Sequence, residues 1–378
     1  MKTDSSRRNF LAAGLALPVA GIASASAPQA PPAQAPRPAS PGAAAIRYRT
    51  LGKTGLKVSS VGYGCMITSD GSVISRAADM GITYFDTARG YGKGNNERMV
   101  GAALKGYRDK IVLSSKSEAK TAPEAIAELD TSLKELGTDH LDIWYMHSRD
   151  SVAAIPDELV TVWDNAKTQG KIRHIGISTH NPNAILDRVL SVGKFEVLLS
   201  TYSFATGTKN DAAYDKLTAA GIGLVAMKVM APASRSKKPD VCLAALKWVL
   251  KDQRMSTTVP SMTDIDQLNT NFRAMAEPFG GDDQKLLAQV DRDIRPLYCR
   301  MCYQCSGQCP KGAPVPETLR YLSYADFYGQ FPLGREHFQK LPEEARAVRC
   351  SDCTSCQVHC PNGVHVSERL KLAQELFG

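Results

Sequence analysis

Eight of the ten cysteines lie in two runs of one spacing: CRMCYQCSGQCP carries Cys299, Cys302, Cys305 and Cys309, and CSDCTSCQVHCP carries Cys350, Cys353, Cys356 and Cys360. Each run reads C-x2-C-x2-C-x3-C-P, and thiolates three residues apart on one loop converge on three irons of a cubane [4Fe-4S] cluster. The fourth cysteine, one residue further on and turned by proline, is expected to reach the other cube. One cluster is therefore assigned to Cys299, Cys302, Cys305 and Cys360, the other to Cys350, Cys353, Cys356 and Cys309. Zinc ribbons pair two cysteines with two distant ligands and have no use for three evenly spaced ones. Disulfides, which an even cysteine count invites in an oxidising compartment, do not require the same register twice.

A second set of reactive side chains closes three successive apolar, β-branched runs. ITYFDTA ends near Asp86, with Tyr91 five residues on; KIVLSSK ends at Lys116; LDIWYMHS carries His147. Singly, each has a structural explanation, as a loop cap, a surface lysine, a core tyrosine or a satisfied histidine. Together they can move a hydride's companion proton. Reduction of a carbonyl leaves negative charge on oxygen, which needs a proton donor and a polarising neighbour. Tyrosine, with an unperturbed pKa of about 10, needs a cation nearby to give up its proton at neutrality. Lys116 would supply that cation, Asp86 would keep Lys116 charged and oriented, and His147 would hydrogen-bond the substrate oxygen.

These side chains must be positioned by an alternation of strand and helix. From Tyr48 to Pro278 the strand-like runs VSSVGYG, ITYFDTA, KIVLSSK, LDIWYMHS, IRHIGIST, FEVLLSTYS, IGLVAMKV and STTVPSM are separated by helical stretches such as APEAIAELDTSLKEL and PDELVTVWDNAKTQ. Eight such units predict a parallel (β/α)8 barrel of the TIM type, whose chemistry gathers at the C-terminal strand ends. The runner-up, an open doubly wound sheet, would want a G-x-G-x-x-G after its first strand, and none is present. The expected barrel covers 46–282. Beyond it, 283–378 carries the cysteines and reads as a small, mainly helical domain, with PETLRYLSYADFYGQF, LPEEARAV and SERLKLAQELF as helices. Tyr321, Tyr324, Phe327 and Tyr328 are expected to form its core, around the clusters. Cys65 and Cys242 read as buried thiols without a catalytic role.

The segments YRTLGKTGLKVSSVGYG, FDTARGYG, ERMVGAAL, VLSSKS and DIWYMHS resemble the aldo-keto reductase family across the whole barrel, with that family's catalytic tetrad falling on Asp86, Tyr91, Lys116 and His147. The resemblance implies an oxidoreductase that moves hydride between NADP or NAD and a small-molecule carbonyl or alcohol. It implies nicotinamide against Tyr202, its carboxamide near Ser178, and further cofactor contacts at Lys228, Gln267 and Asn271. Thr179 and Leu199 stand where the family often has Asn and Gln. Ser261 and Gln267 stand where basic residues commonly hold the 2'-phosphate, and the loop ASRSKK (233–238) either replaces that charge or is a solvated loop. The tail resembles the ferredoxin-like extension found in part of the family, of the helical dicluster type.

The N-terminus, MKTDSSRRNFLAAGLALPVAGIASASA, pairs Arg7 and Arg8 before an apolar run broken by Gly14, Pro18 and Gly21. This resembles the twin-arginine signal, over 1–27, although the charge would also serve an ordinary signal peptide. The run is too short for stable membrane insertion after maturation. Cluster assembly needs a reducing compartment, so export to the periplasm must follow folding, which is what a twin-arginine signal provides. A Pro/Ala-rich linker fills 28–45. Composition is that of a globular protein, 43% apolar and 22% charged, with a formal charge of +8 that cluster thiolates would bring nearer neutral. No nucleic-acid partner is expected. A redox partner protein is possible. The alternative function is an iron–sulfur electron-transfer protein whose barrel is a binding or docking module.

Overall fold

The computed structural model describes residues 46–378. The expected signal and linker lie outside the described residues. The chain opens with an antiparallel hairpin, β1 (Tyr48–Thr50) and β2 (Lys57–Ser59). Its turn places Leu51 into the base of the sheet that follows, among Tyr84, Val112, Ile143, Val197 and Val225. The approach is close: Gly52 has φ 53°, and a Cβ there would meet the Gly223 nitrogen at 2.3 Å. Only glycine serves at such a point.

Eight parallel strands follow in sequential order: β3 (Tyr63–Gly64), β4 (Tyr84–Asp86), β5 (Val112–Ser117), β6 (Leu141–Met146), β7 (Ile172–Thr179), β8 (Val197–Thr201), β9 (Gly223–Met227) and β10 (Met255–Thr258). Parallel bridges Val61 to Thr258 and Gly64 to Ser261 join the last strand to the first. This is the expected (β/α)8 barrel, with all eight strands where the β-branched runs lie.

The two-residue period of a strand sorts side chains between the barrel interior and the helix layer. Tyr84, Val112, Ile143, Tyr145, Val197, Leu199 and Val225 fill the interior. Phe85, Leu113, Trp144, Met146, Leu198, Leu224 and Ala226 face the helices. Trp144 stacks on Trp163 of the helix Asp157–Thr168 with centroids 3.8 Å apart, and the Trp163 indole N–H donates to the Trp144 carbonyl. Gly176 makes room inside, where a Cβ would meet the Tyr145 ring at 2.4 Å.

The tail is helical, as expected: Gly281–Ile294, Val315–Asp326, Phe331–Gln339, Glu343–Ala347 and Val366–Phe377. The described residues fall in one compact unit, and the helix Gly281–Ile294 runs across the boundary expected at 282. Its Leu287, Val290 and Ile294 share a core with Val241, Ala244 and Ala245 of the barrel helix Pro239–Leu250 and with Tyr298 and Phe327 of the tail. A second small core, of Leu322, Phe338, Ala373 and Phe377, ties the later tail helices together.

Candidate active site

Strand period explains the site. On β4 the inward set is Tyr84 and Asp86; on β5 it runs from Val112 through Ser114 to Lys116; on β6 it passes through Tyr145 to His147 just beyond the strand. Each reactive side chain is the next inward position above a core residue, so the barrel delivers them to one point. Lys116 is 1% exposed, and its Nζ donates to Asp86 Oδ2 at 2.5 Å, to the Thr87 carbonyl at 2.6 Å and to Tyr91 Oη at 3.3 Å. The Ser114 hydroxyl donates to Asp86 Oδ1 at 2.8 Å. Tyr91 and His147 meet edge to face, with centroids 6.0 Å apart. All four expected members of the set are therefore brought together.

The loop bearing Tyr91 is fixed from behind. Arg89 pairs with Glu97 at 2.5 Å, and Glu97, fully buried, also accepts from the Ser115 hydroxyl. Gly94 has φ 89°, and a Cβ there would strike the Arg89 guanidinium. Neither Arg89 nor Glu97 is marked by sequence pattern.

Electrostatics set the resting protonation. Burial pushes the Tyr91 hydroxyl well above its usual value, and Asp86, Tyr324 and Glu118 push the same way. Burial holds the His147 imidazole well below the usual histidine value, aided by Lys116, His180, His337 and Arg149. Burial raises the Asp86 carboxyl while Lys116 and Ser114 oppose it. Tyr91 is thus a phenol and His147 a neutral imidazole at neutrality. Glu118 Oε1 lies 3.2 Å from His147 Nδ1, without the alignment of a hydrogen bond.

A cavity of about 1070 Å³ opens above this set. Its walls run from Asp86, Tyr91 and His147, past Met227 and Lys228, to Gln267 and Asn271. Of the expected cofactor contacts, Lys228, Gln267 and Asn271 line this cavity. Ser178 and Tyr202 do not line the cavity. Ser178 faces inward, but its hydroxyl accepts from the Ser148 N–H and its carbonyl from the Arg149 N–H. Tyr202 fails on strand parity: Leu199 points inward and Thr201 follows it, so Tyr202 points to the helix layer, against Tyr214 and Trp248, donating its hydroxyl to Asp252 at 2.7 Å. Leu199 and Met227 occupy the cavity wall instead.

The site fits a nicotinamide dinucleotide on two observations. The Asn271 side-chain amide is 1% exposed, borders the cavity and has no hydrogen-bond partner for Nδ2 among the described residues. Arg235, Lys237 and Lys238 of the ASRSKK loop also line the cavity, a cationic wall suited to phosphate.

A buried polar knot helps to dock the tail on the barrel top. Arg320 Nη1 lies 3.0 Å from Asp150 Oδ2, 2.9 Å from His180 Nδ1 and 2.9 Å from Tyr303 Oη. Tyr303 also donates to Asp150 at 2.7 Å. Burial works against the Asp150 carboxylate, yet His180 and Arg320 hold it well below the usual range. Burial and Arg320 push His180 down to about 4. Tyr303 sits between Cys302 and Cys305, so this knot joins a cysteine run to the barrel. Of the aromatic residues expected in a core around clusters, Tyr324, Phe327 and Tyr328 border the cavity, Phe327 while also sharing the core of Ala244, Leu287 and Tyr298, and Tyr321 packs on the small core of Leu322 and Phe338.

Among the described residues no three His, Cys, Asp or Glu side chains form a closed metal-ligand set. The cysteines do sort into the crossed groups. Burial pushes the Cys299 thiol up to about 11 and Cys305 up to about 12, with Cys302 and Cys360 close enough to add to both. Burial likewise raises Cys350, with Cys309, Cys353 and Cys356 as its neighbours. Those last four border a separate cavity of about 280 Å³.

The sequence pattern of the Aldo/keto reductase family matches residues 70–240. These residues form an aldo/keto reductase domain. The chain is an oxidoreductase. Its relatives include the L-galactose dehydrogenase of Arabidopsis thaliana, 29% identical over 305 residues, covering 66% of this chain and 94% of that protein. The L-glyceraldehyde 3-phosphate reductase of Escherichia coli O157:H7 is 22% identical over 322 residues, covering 66% and 92%. Among solved structures, the aldo-keto reductase AKR11C1 of Bacillus halodurans in its apo form matches with TM-score 0.55 and 25% identity over 65% of this chain and 96% of that one. An aldo/keto reductase from Klebsiella pneumoniae in complex with NADP and acetate shares the fold, with TM-score 0.55 and 24% identity over 66% and 95%. The matched region of the aldo/keto reductase domain ends before the cysteine-bearing tail, which supplies Tyr324, Tyr328 and His337 to the cavity wall. Sequence reading missed Glu118, His180, Met227 and His337 as cavity residues; for Met227 the inward register was the available signal.

The shifts predict a flat pH dependence. His147 gains no proton until well below about pH 6.5, and Tyr91 loses none until above about pH 10. Carbonyl reduction by the aldo/keto reductase domain should hold a constant kcat/KM from about pH 7 to about pH 9. A stopped-flow profile with a limb inside that window would contradict the assigned protonation states.

Proposed function

We propose that this protein is an exported, NADP-dependent aldo-keto reductase with two [4Fe-4S] clusters in its tail, acting on a carbonyl or alcohol substrate. The observation that carries the catalytic reading is Lys116 Nζ held at 2.5 Å from Asp86 and 3.3 Å from Tyr91 Oη, two residues that border the large cavity. Nicotinamide supplies or accepts the hydride when bound. Asn271, Gln267 and Lys228 would hold the dinucleotide, and Arg235, Lys237 and Lys238 would supply the charge for a 2'-phosphate. NADP is favoured over NAD by that cationic wall, and the Klebsiella pneumoniae relative is a complex with NADP.

The residues divide the work. Tyr91, protonated at rest, gives its proton to the developing alkoxide. Lys116 offsets the charge left on the tyrosinate, and Asp86 with the Thr87 carbonyl keeps the ammonium aimed at it. Neutral His147 hydrogen-bonds the substrate oxygen. In reverse, the same groups take the proton from an alcohol. Tyr91→Phe should lower carbonyl reduction by about 100- to 10,000-fold while melting temperature and iron content stay unchanged. Steady-state kinetics in which the variant keeps wild-type turnover would favour the electron-transfer alternative, with the barrel as a docking module for a redox partner.

Two clusters would be held by Cys299, Cys302, Cys305 and Cys360, and by Cys350, Cys353, Cys356 and Cys309, supplying one-electron chemistry. The crossed neighbours of Cys299 and Cys350 support this assignment. Cys360→Ala should perturb the cluster of the first run although Cys360 belongs to the second. Paramagnetic resonance showing loss of the second-run cluster alone would overturn it. Such clusters motivate export after folding. Replacing Arg7 and Arg8 by lysine should leave the protein in the cytoplasm, and normal periplasmic recovery on fractionation would refute the twin-arginine reading.

A further inference from the structure

The cavity above Tyr91 is roofed by residues outside the matched family region. Tyr324, Tyr328 and His337 line it from the tail. Lys228 turns up from the end of β9 through a left-handed backbone, φ 58°, and places Nζ 4.6 Å from the Tyr324 ring centre and 5.6 Å from that of Tyr328. The Tyr324 and His337 rings lie 5.4 Å apart, and those of Tyr324 and Tyr328 5.8 Å. The result is a connected aromatic surface, braced by a cation, facing the catalytic floor.

One atom of that surface is incomplete. Tyr328 Oη is buried and has no hydrogen-bond partner among the described residues. Below it, Glu118 and His180 add an acceptor and an imidazole to the same cavity. His180 is already held by Asp150 and Arg320, and Glu118 is open to solvent, so the unmet demand is that of Tyr328 Oη. A simple aliphatic aldehyde would leave it without a partner, and an unmatched buried polar group costs affinity. A ring whose apolar face can lie on tyrosines while its edge carries several hydroxyls would satisfy it, with Glu118 as a further acceptor for another hydroxyl.

We infer that the tail supplies a substrate subsite, centred on Tyr328 and shared with Tyr324 and His337, for a polyhydroxylated, sugar-like compound. This rests on the reductase reading for its catalytic consequence, but not for binding itself. The selectivity of such a site comes from hydrogen bonds that a less hydroxylated competitor cannot make.

The test uses the full chain, with galactose and xylose of both hands as probes and propanal as competitor. Calorimetric titration should show at least one sugar binding wild type, and Tyr328→Phe weakening it about tenfold. The ratio of kcat/KM for that sugar over propanal should fall by about the same factor. His337→Asn provides a second variant should Tyr328→Phe fold poorly, and it should shift both readouts in the same direction. Sugar binding that is lost in Tyr328→Phe while neither substrate is turned over would sink the reductase reading and leave the subsite standing. No sugar binding to wild type, or unchanged affinity and ratio in both variants, overturns the subsite.

Discussion

The Arg320 guanidinium is the joint on which the architecture turns. It belongs to the tail helix Val315–Asp326, is about one-tenth exposed, and finds its counter-charge on Asp150, in the loop after β6. Stripping a buried charge of its partner costs about 3 to 5 kcal/mol, so the helix has one place on the barrel where it can rest. From that place everything above the barrel follows. Tyr324 lies one turn further along the same helix and reaches Lys228. Tyr303 brings the first cysteine run to the same carboxylate. His180, sharing Asp150, forms part of the cavity wall.

Below that joint, the barrel explains the rest by repetition. Asp86, Lys116 and His147 converge because each is the uppermost inward position above a buried strand interior, with Tyr84 under Asp86, Val112 and Ser114 under Lys116, and Ile143 and Tyr145 under His147. Burial then makes the group internally consistent, keeping the phenol protonated and the imidazole neutral while Lys116 Nζ reaches the phenol oxygen. The buried Lys116 side chain is matched by a carboxylate and a carbonyl oxygen, which is the arrangement that lets it remain there.

How much of this could be read from residues alone depended on whether the information was local. The strands, the tail helices and the tetrad Asp86, Tyr91, Lys116 and His147 were legible, because alternation and strand ends are short-range properties. Tyr202 was misread although the needed rule was local: its parity relative to Leu199 assigns it to the helix layer. Tyr324, Tyr328 and His337 were not legible as cavity residues. Their position depends on Arg320 finding Asp150, 170 positions away in the chain, and aromatic residues spaced for a helix look the same whether they face a core or a cavity. Glu97 was hidden for a similar reason, since a glutamate early in a helix gives no sign that it is fully buried beneath Arg89.

The roof also imposes an order in time. Translation completes residues 70–240, and with them the tetrad, before the helix that carries Tyr324 exists, and long before Cys360. N-terminal portions of a chain fold first during synthesis. For that interval the barrel carries Tyr91 and Lys116 beneath an open top. Its ceiling arrives with the last third of the chain, on the same segment as the cysteines. Maturation of the tail is therefore a step in making the enzyme's chamber, and a chain truncated or unfinished there would keep its reactive groups while losing the enclosure that decides what they meet.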